Sequence, residues 1–296
     1  MIDEHPRVNV HSQPLDSAVL DIEWSPHNAT FGKDILCVAT STGSLLFYSL
    51  AAETAQLSFV SSKQITETSI LVLDLLWHPK RPDIIAVTLS DGSTCVCQSS
   101  GSSTSPWDEN SSVSITEIAR HELEPWTLAL SPDCGTLFSG GDDAVLHCTS
   151  LALPELGTAI GGEDEIATAR WSDRKIHQAG VTAILPLTDE LLVTGSYDDH
   201  IRLVAAPMVG RRRVLAELNL DGGVWRLRLM DRAVTSDPGR LFDRYVTHAH
   251  GWRRLQSACL HLYRLRTHST DLTCMLVSEP TCQSTAQGRG SSFPIT

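Results

Sequence analysis

The chain repeats one short phrase at a fixed interval. Its first version is Asp21-Ile22-Glu23-Trp24-Ser25-Pro26, and related versions are Asp74-Leu75-Leu76-Trp77-His78-Pro79 and Thr127-Leu128-Ala129-Leu130-Ser131-Pro132. The Trp or Leu at the fourth place of the phrase recurs every 53 residues. A fixed period of this size, carried by alternating apolar residues, is typical of an array of similar β-units.

Each unit continues in the same order after its Pro. In the first unit a second apolar strand, Ile35–Ala39, is followed by the turn Thr42-Gly43-Ser44 and a third strand that ends near Tyr48. Short strands of period two with turn residues between them indicate antiparallel sheets, and no long stretch has helical periodicity. Because four-stranded sheets repeated around an axis form a β-propeller, the sequence predicts an all-β propeller.

Two further units can be recognised before the pattern ends. The fourth begins at Gly180–Pro186 and the fifth at Gly222–Leu229, so about five blade starts are readable. At roughly 40 to 45 residues per blade, the length would suffice for about seven. We predict an N-terminal extension over 1–14, the propeller blades over 15–230, and an atypical or partly disordered segment over 231–296, which is rich in Arg, His, Ser and Thr and shows no strand-turn-strand repeat.

Composition restricts the class of protein. Hydrophobic residues make up 42% and charged residues 20%, which suits a buried core, and no apolar run approaches the roughly 20 residues of a membrane helix. The first residues lack the layout of a signal peptide, and the eight cysteines favour free thiols in a reducing compartment, so we expect a cytoplasmic protein. The net charge of −12 argues against a nucleic-acid partner. The basic clusters Arg211–Arg213 and Arg253-Arg254 are interpreted as solvated loop charges.

Units three and four share a polar constellation of one His, one Ser or Thr and one Asp: His121, Ser139 and Asp143 in unit three, and His177, Thr194 and Asp198 in unit four. In propellers of the WD40 type such residues hydrogen-bond one another and tie the turn between two strands to the loop that enters the blade. We therefore predict a WD40-type propeller with a structural network in each of these blades. The Trp-Asp pair that names the repeat is absent, since Thr149-Ser150 and Ala205-Ala206 stand where it would fall.

Motifs that carry catalytic chemistry are missing from the sequence. It contains no Gly-x-Ser-x-Gly elbow, no His-Glu-x-x-His, no clustered metal ligands and no Gly-rich phosphate loop after a strand. Ser, His and Asp occur in units three and four, but a triad requires them in sequential contact around a reacting group. On these motifs alone, the chain is interpreted as a non-catalytic scaffold that binds other proteins.

Four strings of sequence change this interpretation. They are Glu122-Leu123-Glu124-Pro125-Trp126, Phe138-Ser139-Gly140-Gly141-Asp142-Asp143, Val193-Thr194-Gly195-Ser196-Tyr197-Asp198-Asp199-His200 and Gly222-Gly223-Val224-Trp225-Arg226. In this order and spacing the chain resembles the WD-repeat family of diphthine methyl ester hydrolases, also called diphthine methyltransferases, of the diphthamide pathway. The resemblance covers roughly residues 15–230, and it implies a propeller of seven blades.

The resemblance implies a reaction and a partner. Family members remove the methyl ester from methylated diphthine on translation elongation factor 2, and neither a cofactor nor a metal is expected. The substrate carries a trimethylammonium group, for which an aromatic or acidic lining is suitable. We expect this lining to come from Trp126, Tyr197, Trp225, Asp142 and Asp199.

Ester hydrolysis also requires a base of suitable pKa. The candidate catalytic residues are His200 and Glu124. His200 is a candidate general base, because an ordinary WD blade needs no His at this place, and Glu124, before Pro125-Trp126, is a candidate acid or a contact to the cation. Each candidate has a plainer alternative. His200 can be a surface residue at a strand start, Glu124 a solvated loop carboxylate, the Trp residues blade-packing aromatics, and the Asp residues turn formers.

Overall fold

A computed structural model describes residues 12–26, 34–51, 53–102, 105–153 and 166–228, together with the backbone of 229–232, 245–251, 257–266 and 272–280. These residues form twenty strands and no helix. The first ten are β1 (Val19–Trp24), β2 (Ile35–Thr40), β3 (Ser44–Ala51), β4 (Gln56–Gln64), β5 (Val72–Trp77), β6 (Ile84–Leu89), β7 (Ser93–Ser99), β8 (Val113–Arg120), β9 (Pro125–Leu130) and β10 (Thr136–Gly141). The others are β11 (Leu146–Leu151), β12 (Ala167–Asp173), β13 (Val181–Thr188), β14 (Leu191–Ser196), β15 (His200–Ala205), β16 (Arg213–Asn219), β17 (Val224–Arg232), β18 (Tyr245–Gly251), β19 (Ser257–Arg266) and β20 (Leu272–Pro280).

Every four consecutive strands form one antiparallel sheet. Blade 1 is β1–β4, blade 2 is β5–β8, blade 3 is β9–β12, blade 4 is β13–β16 and blade 5 is β17–β20. In blade 1, for example, Trp24 pairs with Leu36 and Ile35 pairs with Ser49. The predicted all-β array is confirmed, with one sheet for each of the five readable starts, whereas the resemblance led us to expect seven blades. In the described part of the chain, no helix has the length and apolar character needed to cross a membrane.

The first strand of each blade faces a central channel. These inner strands lie side by side in the order β1, β5, β9, β13 and β17. Between them the blades bury apolar faces against one another, as where Phe47 of blade 1 meets the indole of Trp77 of blade 2, with ring centroids 6.1 Å apart. Because every blade needs a neighbour to cover its face, the stability of the fold depends on this stacking.

Inner strands are also joined by side chains. A carboxylate oxygen of Asp21 accepts a hydrogen bond from the backbone N–H of Leu75 at 3.2 Å, and one of Asp74 accepts from Leu128 at 2.7 Å. Thr182 donates its hydroxyl to the backbone oxygen of Val224. Each bond connects one blade to the next, which satisfies main-chain groups at the wall of the channel.

The C-terminal part differs from what the sequence pattern indicated. No strand-turn-strand repeat is readable after about residue 232, yet β18, β19 and β20 pair in order with β17. Sheet formation uses main-chain hydrogen bonds, which every residue but proline can donate, so a sheet can form where the repeated phrase is absent. The predicted boundary at residue 230 falls inside β17, and a structural division there stays a prediction. Residues 1–11 of the predicted extension and 281–296 lie outside the described residues.

Candidate functional site

Two residues of blade 3 form the first part of a polar and aromatic cluster at one end of the channel. Trp126 lies near the start of β9, and its indole N–H donates a hydrogen bond to Asp142 Oδ1 at 2.7 Å. Asp142 stands in the turn between β10 and β11, and its backbone N–H donates to the backbone oxygen of Glu124 at 2.9 Å. The turn and the start of the inner strand are thus held together.

Blades 4 and 5 add two aromatic rings to this cluster. Tyr197, in the turn between β14 and β15, makes an edge-to-face contact with Trp225 of β17, with centroids 4.8 Å apart. Gly180 lies between the turns of blades 3 and 4, where a Cβ atom would stand 2.8 Å from Asp142 Oδ1 and 3.0 Å from Tyr197 Cδ2. Only glycine lets the two turns approach so closely. We call Trp126, Asp142, Tyr197 and Trp225 the rim cluster.

The rim cluster is acidic as well as aromatic. Partial burial raises the pKa of Asp142, the hydrogen bond from Trp126 lowers it, and the nearby charges of Glu124 and Asp143 raise it again. Burial also raises the pKa of Tyr197, and the charge of Asp142 adds to this effect. Aromatic faces beside carboxylates are a lining that attracts a cation. Of the predicted substrate-binding residues, four lie in this cluster, and Glu124 is their neighbour.

Below the rim cluster the channel forms a cavity of about 640 Å³. Its wall includes Trp126 and Trp225 from the rim cluster, the inner-strand carboxylates Asp21, Glu23 and Asp74, and the guanidinium groups of Arg226 and Arg228. These charged residues were not among the site residues predicted from the sequence. A signal was present, since the repeated phrase begins with Asp in its first two versions.

Two carboxyl groups of the channel wall, Asp74 and Glu23, have raised pKa values. Burial raises the pKa of Asp74 well above its ordinary value, and the charge of Asp21 and a hydrogen bond with it raise the pKa further. Burial raises the pKa of Glu23 to about 7, although its hydrogen bond from the backbone of Trp77 lowers it. Arg226 places a guanidinium nitrogen 3.4 Å from Asp21 Oδ1, across the channel from blade 5 to blade 1. The wall therefore holds protonatable groups beside a fixed positive charge.

In blade 3, His121 joins Ser139 to Asp143. Its Nε2 lies 2.9 Å from Ser139 Oγ, and its Nδ1 lies 3.0 Å from Asp143 Oδ1. The order resembles a catalytic triad, but Ser139 and His121 are buried and face the interior of the blade. His147 brings its ring to 4.4 Å from that of His121, so His121, Asp143 and His147 have donor atoms spaced for a metal. Both nitrogens of His121 already have hydrogen-bond partners, which accounts for the geometry as a structural network.

Blade 4 forms only part of the predicted network. His177 Nε2 lies 2.9 Å from Thr194 Oγ1, but its buried Nδ1 has no hydrogen-bond partner within the described residues. Asp198 is bound instead by Arg202, with a guanidinium nitrogen 2.8 Å from its Oδ2, and by the backbone N–H of Gln178. Burial and the charge of Arg202 lower the pKa of His177 to about 4, so the ring is neutral at pH 7. The predicted hydrogen bond between His177 and Asp198 is wrong, because the buried Arg202 binds Asp198 instead.

His200 and Asp199 lie away from the rim cluster's contacts. His200 begins β15, where its Nδ1 lies 2.6 Å from the backbone oxygen of Asp198 and its Nε2 lies 3.5 Å from Asn219 Nδ2. Asp199 has a positive φ of 66°, and its backbone oxygen accepts the N–H of Leu220. No hydrogen bond described for these two residues reaches the rim cluster. Of the two predicted catalytic residues, the structure brings only Glu124 beside it.

Solved structures support the architecture. A chain in a structure of ctPRC2 in complex with H3K27me3 and H3K27M matches 82% of this chain and 55% of its own length, with 17% identity and a TM-score of 0.60. The crystal structure of Chaetomium thermophilum Sqt1 matches 78% of this chain and 54% of its own, with 15% identity and a TM-score of 0.56. Both are WD40 propeller proteins, so the WD40-type fold is confirmed.

Relatives with names were found by sequence. Diphthine methyltransferase of Schizosaccharomyces pombe is 32% identical over 72% of this chain and 57% of its own length. The human protein of that name is 26% identical over 76% of this chain and 47% of its own, and the Saccharomyces cerevisiae protein is 24% identical over 82% and 69%. The chain thus spans about half the length of the first two relatives. No family model matches the chain. With the four sequence strings and the WD40 fold, these relatives show that the chain belongs to the diphthine methyltransferase family.

Proposed function

We propose that the chain hydrolyses the methyl ester of methylated diphthine on translation elongation factor 2, giving the free carboxylate. The observation that carries the proposal is the rim cluster, in which Asp142 lies among Trp126, Tyr197 and Trp225 at the mouth of a cavity. A trimethylammonium group cannot lose its charge or donate a hydrogen bond, so aromatic faces and a carboxylate are what can recognise it. Membership of a diphthine-modifying family agrees with this substrate.

The reaction needs water and a base. Water adds to the ester carbonyl carbon while a base takes its proton, the bond to the methoxy group breaks, and methanol leaves with a proton. We assign the base to Glu124, because its carboxylate is near enough to Asp142 to raise the pKa of that residue and it is only half-buried. His200 is the second candidate for the base. It lies at the start of β15, where its described hydrogen bonds do not reach the rim cluster.

The protein partner in this proposal is the elongation factor, with no nucleic acid, membrane or cofactor taking part. We assign the reaction to the cytoplasm, since the five cysteines whose side chains are described are free thiols, as expected in a reducing compartment.

A turnover assay with matched variants tests the proposal. The purified chain is incubated with elongation factor 2 carrying methylated diphthine, and released methanol is measured for the wild type, Glu124→Gln, His200→Ala and the control Asp16→Asn, an exposed carboxylate ahead of β1. A base in general acid–base catalysis contributes roughly 10²–10⁴-fold, so Glu124→Gln should lose at least about a hundredfold and Asp16→Asn nothing. If His200→Ala alone shows that loss, the base is reassigned.

A scaffold that binds other proteins is the second candidate function. It is favoured by the burial of Ser139, which keeps the one described Ser–His–Asp array away from any substrate. A well-folded wild-type chain that binds the modified elongation factor but releases no methanol would establish this function instead of hydrolysis.

A further inference from the structure

His147 of blade 3 stands where blade 4 places Arg202. In blade 3, His147 pairs with Ser139 across β10 and β11, and in blade 4, Arg202 pairs with Thr194 across β14 and β15. Ser139 and Thr194 are also the residues that hydrogen-bond the His of each network. The imidazole of His147 and the guanidinium of Arg202 therefore have equal places in the two blades.

The two side chains differ in what they bind. Arg202 is buried and places a guanidinium nitrogen 2.8 Å from Asp198 Oδ2, so the turn carboxylate of blade 4 has a cation beside it. His147 packs edge-to-face on His121, with ring centroids 4.4 Å apart, and makes no hydrogen bond to another described residue. The hydrogen bonds of the blade 3 network thus account for His121 and Asp143 but give His147 no polar partner.

Three ligand atoms converge at this place in blade 3. Donor atoms of His121, Asp143 and His147 all lie within 4.8 Å of one another, and His121 Nδ1 is 3.0 Å from Asp143 Oδ1. Ligands held at about 2.0–2.2 Å by a tetrahedral Zn²⁺ ion stand roughly 3.4 Å apart, so closing the set requires side-chain movements of roughly 1 Å. The ring of His147 is free of hydrogen bonds that would oppose such a movement. We call His121, Asp143 and His147 the histidine site.

The existing network can accept an ion and keep its other bonds. A metal ion on Nδ1 of His121 leaves the proton of the neutral ring on Nε2, which is 2.9 Å from Ser139 Oγ. Because a serine hydroxyl accepts hydrogen bonds as well as donating them, Ser139 can accept this proton and orient the ring. Asp143 keeps the backbone N–H of Glu122 on Oδ2 while Oδ1 faces the ion.

The histidine site is closed on one side and open on the other. The side chains of His121 and Asp143 are 0% and 2% exposed, whereas His147 is only half-buried and leaves a path for an ion and a water molecule. Arg174 lies within electrostatic reach of His147, but its guanidinium is bound by the Glu122 carboxylate at 2.7 Å. Two imidazoles, one carboxylate and a water molecule are a ligand set that suits Zn²⁺. We propose that the histidine site binds one Zn²⁺ ion, which joins the turn of blade 3 to β11 and takes no part in the proposed hydrolysis.

Calorimetric titration with Zn²⁺ tests the site. The chain is stripped with EDTA and dialysed, and the wild type is compared with His147→Arg, which gives blade 3 the side chain that blade 4 has at this place. His200→Gln is the control, because it removes a half-buried His outside the site. The wild type and His200→Gln should bind one Zn²⁺ more per chain than His147→Arg. Equal stoichiometry and affinity in the wild type and His147→Arg would overturn the proposal.

Two further measurements keep the test valid if His147→Arg does not fold. His147→Gln removes the imidazole without adding charge, and it should bind Zn²⁺ at least about a hundredfold more weakly, since even the outer partners of zinc ligands contribute about 10–100-fold. An ion that binds only the folded state must stabilise it, so Zn²⁺ should raise the unfolding temperature of the wild type but not that of His147→Gln. An unfolding temperature of the wild type that Zn²⁺ does not change would contradict the site.

Cobalt spectroscopy tests the geometry of the ligands. Co²⁺ replaces Zn²⁺ in tetrahedral sites and then absorbs visible light far more strongly than the ion in water. The wild type should show this absorption up to one Co²⁺ per chain, and added Zn²⁺ should abolish it. A folded wild type in which Co²⁺ absorbs only as it does in water would contradict a tetrahedral site, and this result would leave the proposed ester hydrolysis unaffected.

Discussion

The indole nitrogen of Trp126 lies 2.7 Å from Oδ1 of Asp142, so an inner strand and a surface turn of blade 3 share one hydrogen bond at the mouth of the channel. The bond uses Oδ1 of the carboxylate. Asp142 is exposed, so its other oxygen can face solvent. Asp142 is therefore both oriented by the fold and available to a charged ligand.

Replacing Asp142 by Asn should weaken substrate binding without unfolding the blade. Asn keeps an oxygen that can accept the bond from Trp126 but removes the charge that attracts a trimethylammonium group. A cation contact worth about 1 kcal/mol or more corresponds to a rise in KM of roughly five- to tenfold, with kcat little changed. Steady-state kinetics check this result. Asp16→Asn is the control, and a KM equal to that of the wild type would remove Asp142 from the binding site.

The ring of Tyr197 should matter more than its hydroxyl. Tyr197→Phe keeps the edge-to-face contact with Trp225. Tyr197→Ala removes the aromatic ring, which lies between Gly180 and Gly223. We expect wild-type affinity for a tetramethylammonium probe in Tyr197→Phe and a loss of about 1 kcal/mol in Tyr197→Ala. Titration followed by tryptophan fluorescence measures both. Equal losses in the two variants would show that the ring does not face the cation.

Ser139 should contribute to stability but not to chemistry. Its hydroxyl lies inside the blade, bonded to His121, so Ser139→Ala leaves a buried nitrogen without its partner. The free energy of unfolding should fall by about 1–2 kcal/mol, and kcat should be unchanged at a temperature where the variant is folded. Urea unfolding and the turnover assay are measured on the same preparation. A loss of kcat of a thousandfold would instead make the buried triad catalytic.

Glu23 should make stability depend on pH. Its pKa is raised to about 7 in the folded protein, against 4.5 when unfolded, so the folded state holds the proton more tightly. This contribution to stability is fully present below pH 4.5 and is lost as pH rises through 7. Glu23→Gln cannot ionise, so relative to the wild type it should gain about 2–3 kcal/mol between pH 5 and pH 8. Denaturant unfolding of both proteins at the two pH values measures the gain, with the exposed Glu109→Gln as control. A difference that does not vary with pH would contradict the raised pKa.

The sequence predicted the blades because their signals are local. The phrase at Asp21 and its relatives combines period-two alternation with a proline turn, and each of the five starts became the inner strand of a sheet. The rim cluster was predictable in membership, since Trp126, Asp142, Tyr197 and Trp225 lie in the strings that resemble the family. Their meeting at one end of the channel follows from equal positions in successive blades.

What the sequence did not predict depends on distant contacts. Asp21 and Asp74 became channel residues because neighbouring inner strands bring them together, which no spacing within one repeat reveals. In blade 4 the choice of Arg202 over His177 as the partner of Asp198 depends on how two buried side chains share space. The three strands after β17 do not continue the strand-turn-strand repeat from which the other blades were recognised.

In the proposed reaction, the rim cluster holds methylated diphthine while its ester is cleaved. The most direct measurement is the intact mass of elongation factor 2 carrying methylated diphthine after incubation with the wild-type chain or with Trp126→Ala/Tyr197→Ala. We predict loss of one methyl group with the wild type and far slower loss with the double variant, which removes two of the three aromatic side chains of the cluster. An unchanged mass with a folded wild-type chain, or equal rates for both proteins, would contradict it.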